Sequence, residues 1–360
     1  MYKTVKKIKQ LNRKRNIATK KIKFRLRLIA ADSHFRRQTT LNVSQVNSIL
    51  IIMVGKGIGD AIVMTGLVKC LAEAGYSVSL LTEPRISHIF ADLPFISKNF
   101  VFRRDKSDAI VFNTIRALNY DLLIDLDDVD KHSPLRVKII KKCAPTHTIG
   151  VNQFLTIYDT SLKHRPLNAH FSSRHVVIAN LLGCPIKKLT YFVNQSPAAE
   201  SDVLQLIKNH HASPLIVINP YGTEEARNMS VRQIDALCSA IQLAFNTTPF
   251  IIGVQAQIER IPDADNHVKM RLPLFSHAVA LVNLADLVIS TDTSIVHLCN
   301  ALNKNLVCLY HNKIQPTGED NNILWGPDYP NARQILSPAT RIDEIEVDAI
   351  FAAVKTFLSS

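Results

Sequence analysis

From Ser48 onward the chain alternates short, continuous apolar runs with longer segments whose apolar residues recur every three to four positions. SILIIMV (48–54), bounded by glycine, has the form of a strand buried on both faces. GKGIGDA follows as a glycine-rich turn, and AIVMTGLVKCLAEAG predicts a helix closing at Gly75. SVSLLTE predicts a second strand, ended by Pro84; YDLLIDL (120–126) reads as a strand ending in acids, and HTIGV as another short one. Ser172 to Gly183 reads as a helix, whereas Pro185 to Pro214 loses periodicity among prolines and polar residues, as a linker would. A second series then begins. PLIVINP, PFIIGV, DLVIST and NLVCLY predict strands, interleaved with helices at VRQIDALCSAIQLAF, LPLFSHAVALVNL and TSIVHLCNAL, and IDEIEVDAIFAAVKTFL predicts a last helix.

Such βαβ alternation implies an α/β fold with doubly wound parallel sheets. The two series predict a basic N-terminal arm (1–47), a first Rossmann-like domain (48–190), a linker (191–213), a second Rossmann-like domain (214–340) and a C-terminal helix (341–360). A ligand cleft is expected between the domains, lined by the loops that follow Val54, Asn219 and Ser290.

Composition changes this picture little, and charge changes it in one place. No run of 18 apolar residues occurs and no apolar stretch of signal-peptide length follows the charged N-terminus, so neither a membrane span nor export is expected. The six cysteines lack zinc or disulfide spacing and read as free thiols in a reducing cytosol. The net charge of +13 is local: residues 1–37 carry fourteen Lys and Arg against one acid, Asp32, and the remainder carries 29 of each sign. In the arm, basic residues alternate with Val5, Ile8, Leu11, Ile17, Ile22, Phe24, Leu26 and Leu28. A solvated tail is one reading; adsorption to anionic lipid is another, preferred over nucleic-acid binding because no such motif follows.

Three constellations carry candidate chemistry, each at a strand-to-helix turn. Gly55-Lys56-Gly57-Ile58-Gly59-Asp60 has Asp where a dinucleotide fingerprint needs its last glycine, and it also fails the Walker pattern. An acid there would repel phosphate but suits a general base; it could equally be a helix cap. Thr223 and Arg227, after the turn at Gly222, would suit a diphosphate, although an Arg before a helix is ordinarily surface. Asp292-Thr293-Ser294-Ile295 opens a helix with hydroxyls and free N–H groups, an anion site by geometry, with His297 one turn in. Asp292 as an N-cap and His297 as a buried, satisfied histidine are the plainer alternatives.

In this order and spacing the motifs resemble glycosyltransferase family 9, the ADP-heptose:lipopolysaccharide heptosyltransferases. ILIIMVGKGIGDAIVMTGLVKCLAEAG and SVSLLTEPR resemble the family's opening, NPYGTEEARNMS its second-domain loop, and LPLFSHAVALVNLADLVISTDTSIVHLCNALNK its donor-binding segment. The resemblance, spanning roughly Ser48 to Tyr310, implies a GT-B fold of two facing Rossmann-like domains and an inverting, metal-independent transfer with no cofactor. It implies Asp60 as the catalytic base on an acceptor-side loop with Gly57 and Gly59, and Thr223 and Arg227 as ligands of the leaving diphosphate. Asp292 would hold sugar hydroxyls, and Thr293, Ser294, Ile295 and His297 would bind the rest of the donor. Arg227 stands where the family commonly has Lys, Met229 where it has Trp, and Ser294 where it has Gly.

The expected function is therefore transfer of a sugar, heptose from ADP-heptose, to the lipid-linked core oligosaccharide of lipopolysaccharide. The expected location is cytoplasmic, peripheral to the inner membrane, with residues 1–37 on its anionic surface and no nucleic-acid partner. A relative using a hexose or N-acetylhexosamine donor, or a non-catalytic binding module of the same fold, are the alternatives.

Overall fold

The computed structural model describes residues 15, 19–20, 22–32, 40–164, 169–210, 213–314 and 320–358. They cluster into two compact units: those within Met1–Gly55, Gly75–Pro84 and Ser97–Arg165, and those within Lys56–Ala74, Arg85–Ile96 and Pro166–Ser360.

The first unit is built on six parallel strands: β1 (Ser48–Met53), β2 (Ser77–Thr82), β3 (Lys98–Val101), β4 (Leu122–Asp125), β5 (His147–Val151) and β6 (Thr160–Leu162). Their spatial order is β3-β2-β1-β4-β5-β6. Ile49 through Met53 are all buried, which is why the central strand reads as an unbroken apolar run. Edge strand β3 is half exposed, and its mixed sequence KNFV carries no such signature. On one face Leu50, Ile52 and Leu123 pack against helices Asp108–Leu118 and Ser133–Cys143 through Phe112, Ile115, Val137 and Ile140. At the end of β4 Arg136 is fully enclosed; its Nε lies 2.9 Å from Asp125 Oδ2, and Asp127 and Asp130 complete the ion network. Tyr158 donates to the same Asp125 oxygen at 2.6 Å.

The second unit repeats the plan with β7 (Ile216–Asn219), β8 (Phe250–Ile251), β9 (Val268–Lys269), β10 (Leu287–Thr291), β11 (Leu306–Tyr310) and β12 (Ala332–Leu336). These strands are parallel and ordered β12-β11-β10-β7-β8-β9. Numbered within its own half, each sheet has the order 3-2-1-4-5-6 of a doubly wound fold. Helices Val231–Phe245 and Val347–Leu358 cover one face through Leu237, Ile241, Ile350 and Val354. Helix α1 (Ile58–Glu73) clusters with this unit and is buried nearly all round, from Ala61 to Val68 and at Leu71. Gly66 lets it approach the chain at 190: an added Cβ would lie 2.9 Å from the Thr190 carbonyl oxygen.

Two expectations need correction. The proline-rich stretch 185–214 contains a helix, Pro197–Ile207, started by Ser196, whose Oγ accepts from Ala199 N, and by Pro197 at the first helical position. The arm is not simply a solvated tail, because residues 22–32 form a helix docked on the first unit. Leu28 is completely buried there and Phe24 and Ala31 pack beside it, while Asp32 accepts from Thr156 N, Thr156 Oγ1 and Ile157 N. The readings at Val5, Ile8, Leu11 and Ile17 lie outside the described residues. Among the described residues no helix is long and apolar enough to cross a membrane.

Candidate active site

In the second sheet the order reverses between β7 and β10, and the residues at the carboxyl ends of these strands form the site. Asn219 closes β7; its Nδ2 donates to Ser290 Oγ at 3.1 Å and to Thr293 Oγ1 at 2.8 Å, tying the two strand ends together. Thr293 caps α8 (Ser294–Ala301), its Oγ1 accepting from Ile295 N at 3.3 Å. The hydroxyl-rich turn thus leads into a helix start, as its sequence indicates. Thr293, not Asp292, is the residue that caps it.

Asp292 is freed for another task. Its carboxylate is 6% exposed, accepts from Asn321 Nδ2 and lies 3.4 Å from Arg227 Nη1. Burial pushes its pKa up to about 6; Arg227 and Asn321 oppose that rise, and Glu224 adds to it. Arg227 closes a short 3-10 turn (Glu225–Arg227), with Glu224 3.9 Å from its Nη2. Its Nε is buried and has no protein partner, so the guanidinium retains capacity for a further acceptor. Gly222 makes room for it, since a Cβ there would stand 2.9 Å from Arg227 Cβ. Thr223 is exposed beside this turn.

Asp60 belongs to the same compact unit. It occupies the first turn of α1, where Oδ2 accepts from Gly57 N at 2.8 Å and Oδ1 lies 3.8 Å from Lys56 Nζ. The capping role and the exposed position coincide in this residue, because one oxygen is held by the backbone while the side chain stays 25% accessible. Gly59 is where α1 meets α8. A Cβ at Gly59 would stand 2.9 Å from His297 Cδ2 and 3.6 Å from Ser294 Cα, so only glycine allows this approach. The structure therefore brings Gly59, next to Asp60, against Ser294 and His297, while Asp292, two residues before Ser294, pairs with Arg227.

Behind the two helix starts lies an aromatic cluster. Phe171 stacks on Trp325 with ring centres 4.4 Å apart, and His170 and His297 meet Trp325 edge-on. Lys56 Nζ lies 5.3 Å from the Phe171 ring centre. Burial lowers the pKa of His170 to about 4 and those of His175 and His297 to about 3, so these imidazoles are neutral at physiological pH. His297 is 5% exposed and its Nδ1 has no partner.

Sequence reasoning named Lys56 and Asn219 within its turns but gave them no role, and it assigned none to Asn321 or to Arg85, whose Nη2 would lie 3.5 Å from a Cβ at Gly57. Asn219 was marked by a polar residue ending an apolar strand. Asn321 lies in a stretch with no periodicity and gave no signal.

Two 3-2-1-4-5-6 sheets with helices give the protein the α/β, GT-B fold that solved heptosyltransferase structures share. The sequence profile of "Glycosyltransferase family 9 (heptosyltransferase)" matches residues 110–337, more than half of the chain, and the protein belongs to that family. It is 24% identical over 328 residues, 87% of each chain, to an Escherichia coli (strain K12) protein named "Putative lipopolysaccharide heptosyltransferase 4". Among solved structures it resembles a family 9 glycosyltransferase of Veillonella parvula DSM 2008, with a TM-score of 0.74, 12% identity and coverage of 90% of this chain and 100% of that one. It also resembles E. coli ADP-heptose lipopolysaccharide heptosyltransferase II, with a TM-score of 0.69, 13% identity and coverage of 87% and 98%.

Proposed function

We propose that the protein transfers heptose from ADP-heptose to the lipid-linked core oligosaccharide of lipopolysaccharide, by an inverting displacement that needs no metal. The observation that carries this reading is the meeting at Gly59 of the turn holding Asp60 with the start of α8, which follows the Asp292 that pairs with Arg227. The relatives named for heptosyl transfer support the choice of sugar.

In this scheme the donor diphosphate lies at the start of α8, on N–H groups and hydroxyls of Thr293, Ser294 and Ile295. Arg227, with Thr223 beside it, meets the charge that grows on the leaving phosphate oxygen as the C–O bond breaks. Asp292 accepts from sugar hydroxyls. Asp60 takes the proton from the acceptor hydroxyl as its oxygen attacks the anomeric carbon from the face opposite the diphosphate. A single displacement of this kind inverts the anomeric centre. The cationic charge a metal would supply to the leaving group comes from Arg227 and the helix start. Neutral, enclosed His297 sets the distance between the two helix starts.

The same reading places the protein on the cytoplasmic face of the inner membrane, where a lipid-linked acceptor is found. Its test is Asp60→Asn, which preserves the Oδ acceptor for Gly57 N but cannot take a proton. Transfer from ADP-heptose should fall by 10²-fold or more, roughly the value of general-base catalysis, with ADP-heptose affinity within about twofold of wild type. Retained transfer would remove Asp60 from the mechanism. Transfer from a hexose or N-acetylhexosamine donor in place of ADP-heptose would keep the chemistry and replace the sugar.

A further inference from the structure

The docked helix at residues 22–32 has a second apolar face. Ile22, Leu26 and Ile29 are 59%, 60% and 55% exposed. Each precedes by two residues a member of the docked set Phe24, Leu28 and Ala31, and two residues turn a helix by roughly 200°, so the two stripes lie on opposite sides. One stripe is held in the first unit's core while the other faces away from it. Asp32 and its three hydrogen bonds fix the helix end, and Lys141 Nζ donates to the Ala31 carbonyl at 2.5 Å. The helix is thus fastened to the unit and cannot turn its exposed stripe inward.

Lys20, Lys23, Arg25 and Arg27 are exposed along this helix, and no described acid pairs with any of them. By helical spacing Arg25 flanks the stripe on one side and Lys23 on the other, whereas Lys20 and Arg27 lie nearer the docked side. Three large apolar side chains bordered by exposed cations match an anionic bilayer, whose headgroups meet the cations while the apolar ridge enters the acyl boundary. The balance of charge favours the same partner. The excess of fourteen basic residues over one acid is confined to residues 1–37, and the rest of the chain has no net charge that would draw a polyanion elsewhere.

We infer that the Ile22–Leu26–Ile29 ridge, with Lys23 and Arg25 on its two sides, is a surface by which the first unit rests on an anionic membrane. This deepens the proposed function, on which it relies for its purpose alone. It assigns the contact to a rigidly docked helix and to one face of it, so the lipid-facing side of the unit is defined by structure.

The test sediments the full-length protein with phosphatidylethanolamine/phosphatidylglycerol vesicles and with neutral phosphatidylcholine vesicles. Wild type should pellet with the anionic vesicles, and less so at high salt. Ile22→Ser/Leu26→Ser/Ile29→Ser should lower that partition about tenfold or more, with an unchanged melting temperature because the three side chains are exposed. Lys23→Gln/Arg25→Gln should lower it as well and flatten the salt dependence. Unchanged partition in the ridge variant would overturn the inference, as would equal binding of wild type to neutral vesicles. So would a dimer that the ridge variant dissolves, or capture of RNA in preference to vesicles. Transfer to a soluble, delipidated acceptor should be the same in the ridge variant as in wild type. If wild type fails that transfer while ridge-dependent vesicle binding stands, the functional reading fails and the membrane surface does not.

Discussion

Replacing Asp292 by Asn should make the protein more stable and the enzyme worse. Asp292 is 6% exposed, and its pKa rises from 3.8 to about 6 because burial outweighs the attraction of Arg227. The folded protein holds this proton more tightly than the unfolded chain does. Its contribution to stability is therefore full below about pH 4 and is lost as pH rises through about 6. The loss amounts to about 3 kcal/mol at 1.36 kcal/mol per pH unit. Asn is close in shape to the protonated acid and carries no charge to dehydrate. Wild type and Asp292→Asn should then melt together near pH 4 and diverge above it. At pH 8 the variant should melt roughly 6–12 °C higher, taking 2–4 °C per kcal/mol for a cooperative unit of this size. Its transfer rate should fall by about 10–10²-fold, the worth of a charged hydrogen bond to the sugar. Scanning calorimetry across this pH range, with a parallel transfer assay, measures both effects. A variant melting at or below wild type at pH 8 would show that the Arg227 and Asn321 contacts outweigh dehydration, and would refute the argument.

Two further substitutions probe the packing. Arg136→Met leaves the fully buried Asp125 without its cation, held by Tyr158 and the Asp127 amide, and should cost about 3–5 kcal/mol in denaturant titration; adding Asp125→Asn should recover much of it. Gly59→Ala places a methyl 2.9 Å from His297 Cδ2, so the two helix starts must separate. The expected loss is about 1–3 kcal/mol of stability, together with a fall in kcat that exceeds any change in donor affinity; an unaltered kcat would show that the spacing at Gly59 does not matter to the reaction.

The central strands were legible in sequence because strands buried on both faces must be continuously apolar. SILIIM, IVIN, LVIST and LVCLY stand where their patterns put them. Edge strand Lys98–Val101 and helix Pro197–Ile207 were not, since a half-exposed strand and a helix opened by proline lack that signature. Asp60, Arg227 and Asp292 were singled out as candidates through turn position, residue type and the family resemblance. Asn321 was not, because its meeting with Asp292 joins residues far apart in the chain.

The arm shows the same division. Its excess of charge is a property of composition and was evident from the sequence, but the two-sided use of one helix was not. Periodicity reports which positions are apolar; it does not say which apolar stripe finds a partner. Leu28 and Leu26 are the same residue type two positions apart, and one is fully buried while the other is 60% exposed. In the same way the motifs named Gly59 and His297 as separate features, and tertiary packing made them a contact. The sequence by itself determined the two doubly wound sheets and the types of group available for chemistry, because burial pattern and turn chemistry are local, and the order of its motifs carried the resemblance to the family. Which of those groups face one another was decided by the tertiary structure, because contact between helix starts more than two hundred residues apart depends on packing that no local pattern encodes.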